Sequence, residues 1–293
     1  MSVLYNNPSK IWVFVALIYL PSLVQVAIAD DLSIDPAPYF PSFVNVDYGI
    51  DSEESRDFFI FTNLAVASNN RFSIGYGNHD EIVRGSLEEL DTNTYVLGYT
   101  YFANIDFRFG VDYEHWGDEE KITTDTFSAF VSFDISNFIL TFSPQYRQIE
   151  IITESNCSGS LDNTALAADA KYFINRNWAI TAGYATFDYS NERDELLGCV
   201  AEEEIPFLVA RLKSVADDNQ VLLGVNLYIN TEHFSLDWAR IESAIDGDMS
   251  FVTTAYAATD VFDDWTLALT VGNVENYDDT TTSFIKGSVT HYW

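Results

Sequence analysis

The chain has 293 residues, with 14 Lys and Arg against 45 Asp and Glu, giving a formal net charge of −31. That balance argues against nucleic acid as a partner, because its phosphates would be repelled. At 47% hydrophobic and 15% aromatic, with 22 Phe and 17 Tyr, the chain is too apolar for disorder. After the N-terminal region no run of about 18 apolar residues follows, which excludes a helical membrane protein beyond it.

In chain order, the first feature is a targeting pattern. Lys10 is the only charged side chain before Asp30, an apolar stretch runs from Ile11, and Ala27-Ile28-Ala29 precedes Asp30-Asp31. A cationic start, an apolar run and a small-x-small triplet predict a secretory signal peptide over 1–29, cleaved after Ala29. The alternative, an N-terminal anchor, is disfavoured by Pro21 and by the clean cleavage site. Residues 30–41 are expected to form a periplasmic N-terminal segment, and 42–293 a single β domain, since no Pro/Ser/Gly-rich linker divides them.

Segments of roughly ten residues then alternate apolar with small or polar side chains. Candidate strands lie near 42–51, 57–67, 71–78, 92–103, 105–116, 122–133, 138–149, 164–174, 178–189, 205–214, 219–230, 233–243, 249–259, 264–274 and 282–293. The run from Ile105 to Trp116 is the clearest, with Phe107, Phe109, Val111 and Tyr113 on one face and Asp106, Arg108, Gly110, Asp112 and Glu114 on the other. A period of two over about ten residues is what a tilted membrane-spanning strand needs. A soluble sandwich shows the same period, usually in shorter strands. A single-chain barrel needs an even number of strands, so 205–214 is assigned to an inserted loop, leaving about fourteen, with twelve to sixteen possible.

Connections support the barrel. Short turns are expected at Ser68-Asn69-Asn70, Ala103-Asn104, Ile135-Ser136-Asn137 and Asn175-Arg176-Asn177, where Asn tolerates the left-handed conformation. Long acidic stretches at 79–91, 117–121, 152–163 and 190–204 alternate with them. Short turns on one side and long loops on the other are the construction of transmembrane barrels. Strand-end aromatics (Phe102, Trp116, Trp178, Tyr189, Phe262 and Trp265) suggest two interfacial girdles. Cys157 and Cys199 fall in loops that bracket one hairpin. In an oxidising compartment they are expected to form a disulfide, whereas zinc-site spacing is lacking.

Catalytic and metal constellations are sparse. The four His are His79, His115, His233 and His291, and the adjacent pairs His79-Asp80 and Glu114-His115 would point to opposite faces of a strand. No Gly-x-Ser-x-Gly and no EF-hand spacing occurs, so neither an enzyme nor a cofactor or metal site is expected. Acidic runs such as Asp118-Glu119-Glu120 and Glu202-Glu203-Glu204 read as solvated loop charge, with diffuse divalent-ion binding as the alternative.

The last strand-like run ends on Tyr292-Trp293, with Ile285, Gly287, Val289 and His291 in phase with Trp293. A terminal ring gains from a lipid–water interface, where its body enters the apolar layer and its N–H stays near water. This resembles the closing strand of Gram-negative outer-membrane β-barrels. The resemblance implies residence in the outer membrane among lipid and lipopolysaccharide, with Tyr292 and Trp293 as a signal to the barrel assembly machinery. The fold expected is an all-β, transmembrane, antiparallel up-and-down barrel. Inward faces carry Arg71, Asp106, Arg108, Asp112, Glu114, Arg147, Asp169, Lys171, Asp237 and Lys286, with no apolar lining expected, and the whole resembles small monomeric porins. The function this suggests is passive diffusion of small hydrophilic solutes, with a preference for cations from the acidic loops. The alternative is a closed barrel with a structural or surface-interaction role.

Overall fold

Period-two patterning commits each segment to an extended conformation, and the backbone donors and acceptors must then find neighbouring strands. In the computed structural model they do so all the way round. Fourteen antiparallel strands close into one barrel in sequence order, with β14 returning to pair with β1. The structure describes residues 41–293 except 53, 83–88, 119–121, 152–158, 191–215, 245–246 and 276–279. The expected signal peptide, residues 30–40, the candidate strand 205–214, Glu202 to Glu204 and both cysteines lie outside the described residues.

The strands are β1 (Phe43–Asp51), β2 (Arg56–Ala67), β3 (Asn70–Ile82), β4 (Glu89–Asn104), β5 (Phe107–Asp118), β6 (Ile122–Ile135) and β7 (Phe138–Ile151). They continue as β8 (Gly159–Phe173), β9 (Trp178–Tyr189), β10 (Asp217–Ile229), β11 (Glu232–Ser243), β12 (Met249–Phe262), β13 (Trp265–Glu275) and β14 (Thr281–Tyr292). An even number of strands brings both ends of the barrel to the side of the short turns, which is the periplasmic side of a bacterial barrel. There the Ser42 N–H donates to the Trp293 carbonyl at 3.1 Å, and the Trp293 N–H donates back at 3.0 Å, extending the β1–β14 ladder to the end of the chain.

Three short turns follow a register irregularity in the preceding strand, at Ala65/Ala67, Phe102/Asn104 and Asp260/Phe262. A bulge adds local twist and suits the rim of a barrel. One of them moves an expected turn. The hairpin foreseen at Ala103-Asn104 turns at Ile105 and Asp106 instead, because the Asn104 side-chain oxygen accepts the Asp106 N–H at 2.9 Å and closes an Asx turn there. Asp106 therefore sits in an exposed turn and not on the inner wall, correcting its assignment as lumen-facing. Asn230, with φ of 53°, occupies a left-handed turn position that Asn accepts at low cost.

Alternation sorts the side chains. Outward rings and aliphatics such as Leu97, Val111, Leu166, Leu223, Leu236 and Leu269 are exposed over the circumference, as a lipid-facing surface requires. His291, an unusual outward residue, stacks on Trp265 at 4.4 Å and approaches Trp293 at 5.9 Å. Its Nδ1 also lies 3.1 Å from the Asp264 carbonyl, so the imidazole is built into an aromatic cluster at the periplasmic rim.

The expected girdles need a correction. Trp178, Phe262 and Trp265 are exposed at the short-turn end. Phe102 instead packs under Arg71 at 5.7 Å, Trp116 is buried, and the Tyr189 hydroxyl donates to the Asp217 carbonyl at 2.8 Å. These three lie on the inner-face parity of their strands, where a ring can cover a neighbouring side chain.

Candidate functional site

The inner wall of the barrel is where this fold can act on a solute. Arg71 on β3, Arg108, Asp112 and Glu114 on β5, Arg147 on β7, Asp169 and Lys171 on β8, Asp237 on β11 and Lys286 on β14 all occupy the inward parity of their strands. Their contacts differ from strand to strand. Arg71 turns to its own hairpin, donating to the carbonyls of Ala67 and Asn70 at 3.2 Å each. Arg108 donates to the Ser132 hydroxyl at 3.3 Å, and Arg147 lies 5.5 Å over the Phe187 ring while only 2% exposed.

Lys286 forms an ionic node at the closing seam. Its ammonium lies 3.0 Å from Asp47 and 3.7 Å from Asp57, joining β14 to β1 and β2 across the closing seam. Both aspartates escaped the sequence reading. Asp57 was placed at the margin of a candidate strand, and only the pairing of Gly49 with Lys286 and with Asp57 brings the three together.

Three carboxylates share another arrangement. Asp112 faces Gly98 on β4, Asp169 faces Gly183 on β9, and Asp237 faces Gly224 on β10, each as a direct cross-strand partner. In every case a Cβ on the glycine would collide with the aspartate side-chain oxygen. The missing side chain lets the carboxylate lie along the wall over its neighbour. Phe59 uses Gly75 and Gly77 in the same way, its ring atoms lying 2.9 and 2.6 Å from where a Cβ would be. With no Cβ beneath them, these large groups lie flat against the wall.

The extracellular end differs, and it overturns the expectation of a wall without apolar lining. Inward Ile149 and Ile151 on β7, Leu161 on β8, Val252 on β12 and Val274 on β13 are no more than 2% exposed. Ala239, Ile241, Val252, Val274 and Phe284 pack as one apolar cluster, with Leu222 against it. Side chains on the wall of a water-filled tube would stay wet, so the wall at this level is covered.

The members of the pairs His79-Asp80 and Glu114-His115 have opposite parity on their strands and so point to opposite faces. His115 instead meets Asp125 of β6 at 2.9 Å on the outer face, where the Tyr113 hydroxyl donates to the same carboxylate at 2.6 Å. Among the described residues no group of three or more His, Cys, Asp or Glu could hold a metal ion.

No family model matches the sequence, and no curated relative does. Solved structures do match in fold. The CymD monoaromatic hydrocarbon channel aligns over 86% of this chain and 88% of its own, with a TM-score of 0.55 and 8% identity. A bacterial polysaccharide outer-membrane secretin aligns over 87% of this chain and 99% of its own, at 0.52 and 9%. The outer-membrane protein Omp33 of Acinetobacter baumannii aligns over 88% and 100%, at 0.49 and 11%. At such identities the likeness is one of fold: the chain is a closed fourteen-stranded antiparallel barrel of the Gram-negative outer-membrane type.

Proposed function

We propose that the protein is an outer-membrane channel of the porin kind, passing small hydrophilic solutes with a preference for cations. The observation that carries this reading is the set of Asp112, Asp169 and Asp237, each laid against a glycine so that charge lines the wall without filling the lumen. Fixed carboxylates on a low-dielectric wall raise the local cation concentration and repel anions. The outer leaflet, lipopolysaccharide and the assembly machinery are the partners this reading implies, with Tyr292 and Trp293 as the assembly signal. A second reading, a closed barrel with a structural or surface role, is favoured by the near-complete burial of Ile149, Ile151, Leu161, Val252 and Val274.

Planar-bilayer recording separates the two. The channel reading expects discrete conductance steps and a cation-selective reversal potential across a KCl gradient, the selectivity weakening as salt rises. Neutralising Asp112, Asp169 and Asp237 to Asn should reduce the selectivity more than Gln substitutions at Glu202, Glu203 and Glu204. Absence of conductance gives the case to the closed barrel.

A further inference from the structure

We propose that the periplasmic half of the lumen carries a contact track for polyhydroxylated ring solutes, saccharides in kind, formed by an aromatic stripe on the inner wall. This deepens the channel reading and rests on it for the route by which such a solute would move on.

The stripe has two arcs. In the first, Tyr228 on β10 stacks on His233 of β11 at 4.5 Å and 13°, and His233 meets the Tyr256 ring of β12 at 5.2 Å. In the second, Tyr292 on β14 meets Phe43 on β1 at 5.9 Å, and Phe43 meets Phe61 on β2 at 6.0 Å. Every one of these rings has the inward parity of its strand, so none belongs to the lipid-facing girdle, which Trp178, Trp265 and Trp293 supply. Tyr228 is 8% exposed, whereas His233, Tyr256, Tyr292, Phe43 and Phe61 are half-buried and keep part of their surface open. The covered apolar wall at the other end offers no such surface.

Polar groups interleaved with the rings choose the class of solute. The Lys171 ammonium lies 5.2 Å over the Tyr228 ring and donates to its hydroxyl at 2.6 Å. His233 Nε2 pairs with the Asn226 side-chain oxygen at 3.1 Å, and the Thr290 hydroxyl donates to the Asn45 side-chain oxygen at 2.7 Å. A hydrocarbon ring pressed onto this wall would strip water from these groups and return no hydrogen bond. A sugar presents a C–H face to the rings and hydroxyls to the amides and the ammonium, the usual combination of apolar body and few convergent polar groups.

The test is saturation-transfer NMR on the full-length mature protein in detergent, with maltohexaose as probe and toluene as the apolar-ring comparison. Tyr256→Leu and Phe61→Leu remove one ring from each arc while keeping an apolar side chain, and Tyr99→Leu does the same on the outer face. We expect millimolar maltohexaose binding that weakens about fivefold in each inner variant and stays unchanged in Tyr99→Leu. Heat-modifiable gel migration identifies the folded variants, and either inner variant alone suffices. Lack of maltohexaose binding, equal affinity in a folded inner variant, or binding of toluene alone would overturn the track. Conductance, recorded separately, tests the channel: saccharide binding without conductance refutes the channel and keeps the contact site, and the reverse result keeps only the channel.

Discussion

Removing the Lys286 charge should loosen the barrel at its seam. The ammonium bridges Asp47 at 3.0 Å and Asp57 at 3.7 Å, and those aspartates are only 6% and 9% exposed. Lys286→Met keeps the length and bulk of the stem but leaves two carboxylates on paired strands with no cation between them. Breaking a buried pair by deleting one partner costs about 3–5 kcal/mol. Lys286 itself is 22% exposed towards the lumen, so water recovers part of that and about 2–3 kcal/mol is the expected loss. The triple variant Lys286→Met, Asp47→Asn, Asp57→Asn removes all three charges and should return to within about 1 kcal/mol of the wild type, because no uncompensated charge remains. Urea unfolding in lipid vesicles, followed by Trp fluorescence, gives both numbers. Amide exchange gives the location: β1 and β14 should open before β7 and β8 in the single variant. A single variant as stable as wild type, or a triple variant as unstable as the single one, would refute the reasoning.

Val111 faces lipid midway along β5 and is 54% exposed, so Val111→Arg should cost about 2–4 kcal/mol in vesicle refolding titrations. A wild-type stability would put the strand one residue out of register. Gly110→Arg, on the opposite, inward face of the same strand, should also destabilise by about 1–3 kcal/mol, because a Cβ there would sit 2.6 Å from the Tyr99 carbonyl and against Phe130. That makes Gly110→Ala the cleaner probe, and its unfolding midpoint should fall even though no charge is added. Cys157 and Cys199, before β8 and after β9 in the sequence, are expected to be bridged and so should resist alkylation until the protein is reduced, and their loss should cost about 2–4 kcal/mol. Free thiols in the mature, unreduced protein would dismiss the bridge.

The membrane-facing half of the wall was open to reading because lipid imposes one rule on every strand. Phe107, Phe109 and Val111, or Leu267, Leu269 and Val271, can only face outward if their alternates face the lumen, so the face that each residue of β5 and β13 presents follows from the alternation, while the pairing register comes from the neighbouring strands. Strand ends were harder. Asp106 looked like one more inward residue because alternation cannot register an Asx turn made by Asn104, and Phe102 looked like a girdle ring because composition does not say that a bulge and an arginine lie beside it. Contacts between strands distant in sequence were invisible in principle. Nothing near residue 286 announces Asp47, which is brought to it by closure of the barrel.

The apolar inner wall at the extracellular end follows the same physics and explains why it was missed. Along β7 the exposed apolar phase runs through Phe138, Phe142 and Tyr146, then moves by one residue to the buried Ile149 and Ile151. A strand inside the bilayer must keep its outer face apolar, but past the headgroups that demand ends and the outer face becomes polar, as Gln148 and Glu150 are. The inner face is then free to supply apolar side chains that pack on one another. In a single sequence such a change of phase reads as noise in the alternation or as the strand's end. It is a signature of a strand that outlasts the membrane, with a polar inner wall where lipid surrounds it and buried apolar inward side chains above. The same shift separates the two candidate activities along the axis of one barrel: charged walls and accessible rings below, a covered apolar layer above. Any solute that crosses must be handled by the lower part and admitted by the upper, so substitutions at Val252 or Ile149 should act on whether current flows, and substitutions at Asp112, Asp169 or Asp237 on which ion carries it.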